Sequence, residues 1–189
     1  MGFDIVVAEG QSMGSPLSFG GPTVGWFATR KELARLVPGR IIGESRDSNN
    51  TKTYVMTLRA REQDIRREKA SSNICTNQTL NAIGSTIHLS WLGPEGLYEI
   101  GYQAIQKASY MKQLLTDNNF NVLNHTSSLR EFLVETKKPA EDVILEMGTK
   151  GFLAGIKYED NQILVAVTEK RTKAQIDKYV SSLVEVNNA

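Results

Sequence analysis

The sequence predicts an α/β protein built in successive styles, and three observations carry that reading. Short strand-like runs, Ile5 to Ala8, Val24 to Thr29 and Thr53 to Leu58, occupy the first third between glycine-rich or polar turns. Helix formers and apolar residues at helical spacing then take over from Arg61 to about residue 118. From Phe120 onward strands and helices alternate over short distances, which is the pattern of a small α+β layer. The resulting layout is residues 1–93 as part of a larger domain, 94–118 as a linking helix, and 119–189 as a small C-terminal α+β domain.

Each element has a local reason. Lys31 to Leu36 supplies one or two helical turns, and Asp47-Ser48-Asn49-Asn50-Thr51 has no apolar anchor and reads as an exposed loop or hairpin tip. Arg61 to Ala70 is charged and rich in helix formers. A second helix is expected to start at Thr76, whose hydroxyl can cap free amides, with Leu80, Ile83 and Ile87 at core spacing. Gly93-Pro94 stops it, and Pro94 opens a third helix where its missing N–H costs nothing. Leu97, Ile100, Ala104, Ile105, Ala108, Met111, Leu114 and Leu115 then form an apolar stripe over roughly 35 Å, long enough to join two domains. Beyond it come strands at Asn121 to Leu123 and Glu131 to Val134 and a helix from Pro139 to Lys150 ending at Gly151. An extended piece at Phe152 to Ile156, a strand at Gln162 to Val167 and a helix from Thr172 to Val184 complete the order. In that last helix Ile176, Tyr179, Val180 and Leu183 share a face, and the sheet is expected to be covered on one side.

Composition excludes several classes. Twenty-two Lys and Arg against 21 Asp and Glu leave the chain near neutrality, so bulk attraction to nucleic acid or an anionic membrane is not indicated. A single cysteine, Cys75, rules out an internal disulfide framework and fits a reducing compartment. No apolar run of about 18 residues spans a bilayer, and the N-terminus lacks the pattern of a signal peptide, so a soluble, cytoplasmic protein is expected. With two histidines and one cysteine, a metal site based on those ligands has too few of them. His88 lies within an apolar helix, and Trp26 and Trp91 read as core or interface aromatics.

The densest run of specific polar residues is Ile65-Arg66-Arg67-Glu68-Lys69-Ala70-Ser71-Ser72-Asn73-Ile74-Cys75-Thr76-Asn77-Gln78. On a helix Glu62, Arg66, Lys69 and Asn73 share one stripe. Arg66, Arg67 and Lys69 suit a carboxylate or phosphate, and Asn73, Thr76 and Asn77 supply neutral hydrogen bonds to a cleft or subunit joint. A solvated helix face accounts for the charges, but not for the uncharged Ser71 to Gln78.

Together with Gly20-Gly21-Pro22, Leu36-Val37-Pro38-Gly39-Arg40-Ile41-Ile42-Gly43-Glu44 and Leu92-Gly93-Pro94-Glu95-Gly96-Leu97, this run resembles, in order, the glycine decarboxylase (P-protein) family of the glycine cleavage system. The likeness is in particular to subunit 1 of the two-subunit bacterial form, with this chain as its C-terminal portion. The resemblance implies an aminotransferase-like (fold type I) architecture, in which residues 1–93 are the remainder of the large pyridoxal-phosphate-transferase domain. It also implies an enzyme that, when complete, condenses glycine with pyridoxal phosphate, releases carbon dioxide and passes the aminomethyl group to the lipoyl arm of the H-protein.

In catalytic members a lysine forms the Schiff base with the cofactor. Here the corresponding His-Lys step aligns with Gln11-Ser12, followed by the glycine pair Gly20 and Gly21, and no lysine lies between Asp4 and Arg30. Serine forms hydrogen bonds but no imine. The resemblance therefore implies a non-catalytic chain, with pyridoxal phosphate held by subunit 2, and apolar surface around Ile5 to Val7 and Val24 to Phe27 left uncovered in a partial domain predicts a homo-oligomer when the chain is isolated. Gln11, Ser12, Gly20 and Gly21 join the basic run as cleft or interface candidates. Two other readings remain open at this point. One is a free-standing remnant serving as a scaffold or regulatory binding module. The other is nucleic-acid binding through Arg59, Arg61, Arg66, Arg67 and Lys69, which the balanced charge disfavours.

Overall fold

The computed structural model describes residues 2–39, 41–57, 67–70, 77–123 and 128–189. It divides into two compact units, Met1–Trp91 and Leu92–Ala189.

In the first unit, β1 (Ile5–Glu9) pairs antiparallel with β2 (Gly25–Thr29), with Ile5 opposite Thr29 and Glu9 opposite Gly25. A 3-10 turn covers Lys31–Leu36. A hairpin follows, made of β3 (Ile41–Arg46) and β4 (Lys52–Thr57). Its tip is an Asx turn: the Asp47 carboxylate accepts the amides of Asn49 at 2.8 Å and Thr51 at 2.9 Å, and Asn50 takes φ 63°. Lys52 bridges to Glu44 across the strands at 2.9 Å. Strand β3 is not among the strands expected from the sequence, where Ile41-Ile42-Gly43-Glu44 serves only as part of a motif. Of the helix expected from Arg61 to Ala70, the described part is a 3-10 turn at Arg67–Lys69, and the rest lies outside the described residues.

Helix α1 (Thr79–Asp117) is broken at Gly93, whose φ of 63° and ψ of −179° leave the helical region just before Pro94, as the Gly-Pro pair predicts. The expected start at Thr76 lies outside the described residues. The helix begins at Thr79, whose amide donates to the Asn77 carboxamide oxygen at 3.2 Å. Leu80, Ile83 and Ile87, expected in the core, are all exposed, because the opposite side of this helix is the one that packs.

The second unit has a closed core. Its sheet is antiparallel in the order β5 (Asn121–Val122), β6 (Glu131–Glu135), β8 (Gln162–Ala166), β7 (Ile156–Glu159). Alternation along the strands sends Phe132, Val134, Ile163 and Val165 to one face, where α2 (Ala140–Thr149) contributes Val143 and Met147 and α3 (Lys173–Asn188) contributes Ile176, Val180 and Leu183. Each such side chain, fully buried, stabilises the fold by about 1.5–3 kcal/mol. From the expected stripe after Gly93, Ala104, Ala108, Met111 and Leu115 are buried at i, i+4, i+7 and i+11, whereas Leu97 and Ile105 are exposed. The extended piece expected at 152–156 lies later, as β7. Residues 151–155 are a loop in which Gly155 passes so close to β8 that a Cβ there would lie 2.5 Å from the Leu164 carbonyl oxygen.

Helix α3 starts with the capping box that Thr172-x-x-Gln175 spells. The Thr172 hydroxyl accepts the Gln175 amide at 3.2 Å, and the Gln175 carboxamide accepts the Thr172 amide at 3.0 Å. The buried Tyr179 hydroxyl donates to the Ala154 carbonyl at 2.6 Å, and burial pushes its pKa up. On the outer side the Tyr110 hydroxyl donates to one oxygen of Asp177 and Lys173 Nζ donates to the other at 2.7 Å, tying α1 to α3.

Lys173 first and Tyr110 second hold the Asp177 carboxyl below its ordinary value. A depressed folded pKa gives a contribution that is present above the unfolded value, about 4, and lost as the pH falls through the lowered folded value. Thermal melts of wild type and Asp177→Asn are therefore expected to differ most above about pH 4 and to converge below it, with the difference shrinking in high salt. Curves offset equally at every pH would exclude this linkage.

Candidate functional site

The long β1–β2 connection is held shut at its base. Gly10 donates to the Val24 carbonyl at 2.7 Å, and the Glu9 carboxylate accepts the amides of Gln11 at 2.7 Å and Val24 at 3.3 Å. Met13 and Ser15 donate back to Gly10 and Gln11, making one helical turn, and Gly20 and Gly21 donate to the Leu17 carbonyl. Gly10 must lack a side chain, because a Cβ there would stand 2.4 Å from the Trp26 indole nitrogen.

This loop sits on the inward side of α1. Gly14, at φ +104°, is so close that a Cβ would fall 2.8 Å from His88 Cβ and 2.9 Å from the Gly84 carbonyl oxygen. The Asn81 side chain donates to the Thr23 carbonyl at 3.0 Å. Asn81, Gly84, Ser85 and His88, at i, i+3, i+4 and i+7, thus form a small polar seat for the loop. Two polar atoms here, Gln11 Nε2 and Ser85 Oγ, are buried without a protein partner.

Gln11, Ser12, Gly20 and Gly21 are therefore on one loop, with Ser12 exposed and Gln11 half-buried. Arg67 and Lys69 are exposed on their 3-10 turn, and Asn77 caps α1. Arg66, Asn73 and Thr76 lie outside the described residues. Sequence reasoning missed Glu9 and the seat residues Asn81, Gly84, Ser85 and His88. Their signal was a helix face made of small and uncharged polar residues, which a search for an apolar stripe passes over.

The loop does not fit a covalent pyridoxal-phosphate anchor, since Ser12 and its neighbours offer no primary amine. Among the described residues no three His, Cys, Asp or Glu side chains gather as a metal site, and no helix is long and apolar enough to cross a membrane. The second unit has its own cavity of about 570 Å³, whose lining includes Phe152, Leu153, Ile156 and Tyr179, with Glu131 and Arg171 among its charged residues.

An α/β chain with a glycine-rich, lysine-free loop seated on a helix, followed by a closed antiparallel α+β unit, defines a class that comparison with known proteins makes specific. The sequence profile of the glycine cleavage system P-protein matches residues 1–183, and the chain belongs to that family. It is 45% identical over 194 residues to the probable glycine dehydrogenase (decarboxylating) subunit 1 of Staphylococcus haemolyticus, covering 100% of this chain and 43% of that protein. It is 47% identical over 193 residues to the protein of the same name from Staphylococcus aureus, covering 99% of this chain and 43% of the relative. A crystal structure of glycine decarboxylase (P-protein) of the glycine cleavage system, in inhibitor-bound form, matches with a TM-score of 0.89 and 36% identity over 98% of this chain and 44% of that one. The chain thus spans less than half the length of the relatives it matches, and their names imply a second subunit in those enzymes.

The tight approach of Gly14 to α1 yields a paired test. Gly14 and Gly20 both have positive φ, but nothing lies within 4 Å of a Cβ at Gly20. Gly20→Ala is expected to cost about 1–2 kcal/mol of local strain, and Gly14→Ala a further 1–3 kcal/mol, approximately, from overpacking. Proteolysis within residues 10–21 is accordingly expected to be faster in Gly14→Ala. Equal cleavage rates would show that the loop is not seated on the helix in solution.

Proposed function

We propose that this chain is the C-terminal portion of the lysine-less subunit 1 of a glycine decarboxylase. In this reading residues 1–93 are the remainder of the large aminotransferase-like domain, 94–118 the linking helix and 119–189 the small domain. Completed by the rest of its subunit and by subunit 2, the enzyme releases carbon dioxide from glycine and transfers the aminomethyl group to the lipoyl H-protein. Pyridoxal phosphate, held by subunit 2, supplies an electron sink when bound. A cytoplasmic location goes with this reading.

The observation that carries it is Ser12, on a loop with no amine where the family's catalytic members carry one. This chain's residues then shape and support rather than react. Glu9 and Asn81 fix the loop ends, the Gly84–His88 face sets its height, and Ser12 and Gly20 present its exposed edge, with Gln11 and Gly21 half-buried beside them. Arg66, Arg67, Lys69, Asn73, Thr76 and Asn77 are assigned to the cleft or subunit joint.

Incubation with pyridoxal phosphate and reduction with borohydride tests the assignment. Peptides covering Gln11 to Arg30 are expected to keep their unmodified mass, and the isolated chain to show no glycine decarboxylation. A stoichiometric reduced adduct on one lysine of this chain, or decarboxylation by the chain alone, would overturn it. In the two-subunit enzyme, charge reversal at Arg66 and Lys69 is expected to weaken assembly by about 2–5 kcal/mol if the charges are buried in the joint, against about 0.2–1 kcal/mol if exposed.

A further inference from the structure

The cavity of about 570 Å³ in the second unit is lined by residues of that unit throughout. It exists because β7 stops short. Strand β8 runs on to Ala166, whereas β7 begins at Ile156, opposite Leu164, and the chain before it turns away through Gly155 at φ 147°. The Tyr179 hydroxyl holds the Ala154 carbonyl of that loop at 2.6 Å, with the Phe152 and Tyr179 rings edge to face at 5.7 Å. Val167 donates to the Arg130 carbonyl on the β6 side at 2.9 Å. Alternation therefore turns the amide and carbonyl of Ala166 to the other edge, where no β7 residue stands opposite and the cavity lies. The charged side chains of the lining are Glu131 and Arg171, both exposed at its rim. Glu131 lies opposite Ala166, and the Arg171 amide donates to the Thr168 carbonyl just beyond, so both charges stand at one end of the cavity. Arg130 approaches Glu131 only to 3.8 Å, and Arg171 has no carboxylate partner among the described residues.

We propose that this cavity binds a free L-α-amino acid with a large apolar side chain. The lining chooses the occupant. Arg171 takes the carboxylate, which its planar fork suits, and Glu131 takes the ammonium. A ligand of either single charge would leave Glu131 or Arg171 facing it without an opposite charge, whereas a zwitterion answers both. The Ala166 amide and carbonyl add neutral hydrogen bonds beside the head group. The side chain displaces water from the apolar part, among Phe152, Ile176 and Tyr179. An apolar hollow with a few convergent polar groups, within the range of about 300–1,000 Å³, is the usual form of a small-molecule site. Glycine has no side chain to fill it, so the site differs in specificity from any that selects glycine. The inference goes beyond the glycine decarboxylase reading and does not rest on it.

Calorimetric titration of the intact chain with L-leucine and L-phenylalanine tests the proposal. Saturable one-to-one binding is expected, with glycine and the D-enantiomers weaker by about tenfold or more. Glu131→Gln is expected to weaken L-phenylalanine by about tenfold or more without weakening 3-phenylpropanoate, which lacks the ammonium. Arg171→Gln is expected to weaken both. Leu145→Asp, on an exposed site of α2 outside the lining, is expected to leave the affinities unchanged. No saturable binding up to millimolar ligand would overturn the proposal. So would equal affinity for the two enantiomers, affinity indifferent to both rim substitutions, or 3-phenylpropanoate binding as tightly as the amino acid. Binding that disappears when the chain is part of a full-length subunit would also overturn it, since a segment of that subunit would then be the occupant.

Discussion

Phe132, Met147, Ile163 and Leu183 meet between one face of the four-stranded sheet and helices α2 and α3, and the second unit depends on that closure. The sheet's alternation, the Thr172 capping box and the Tyr179–Ala154 hydrogen bond all serve to aim side chains into this one volume. The first unit has no counterpart among the described residues. Its buried hydrophobic residue there is Val24, while Ile5, Val7, Phe27, Ile42 and the outward stripe of α1 face solvent. One unit thus carries its own hydrophobic stabilisation, and the other is held by ladder hydrogen bonds and close glycine contacts, whose net contributions are individually about 1 kcal/mol.

This asymmetry bears on function. The loop assigned a role in shaping an active cleft lies in the unit whose described residues show no closed core, and the contacts that hold it there are local devices. Those devices are the Glu9 carboxylate gathering two amides, the Asn81 carboxamide holding the far end at Thr23, and the glycines at 10 and 14 that let backbone approach Trp26 and α1.

The second unit was largely legible in the sequence because its rules are local. Thr172-x-x-Gln175 spells a cap, Gly151 ends a helix at φ 84°, and Gln162 to Val167 alternates as a half-buried strand does. The displaced β7 was missed because the two positive-φ glycines at 151 and 155 make 151–155 a loop, a constraint that apolar content alone does not reveal. Failure in the first unit had a different cause. Periodicity shows that Leu80, Ile83 and Ile87 share a face but not which face is inward, and here the tight fit of Gly14 decides for the polar one. The loop and its missing lysine were legible from motif order. Glu9 and Asn81 were not, since each matters through a contact distant in sequence, with Val24 and Thr23 respectively.

Native-state hydrogen exchange tests the asymmetry most directly, because it reads the opening free energy amide by amide. Amides of β6, β8 and α3, including Phe132, Ile163 and Leu183, are expected to exchange only by global opening of the second unit. Those of β1, β2 and the 79–91 stretch are expected to exchange through opening of much lower free energy. Equal protection in the two units would contradict the account.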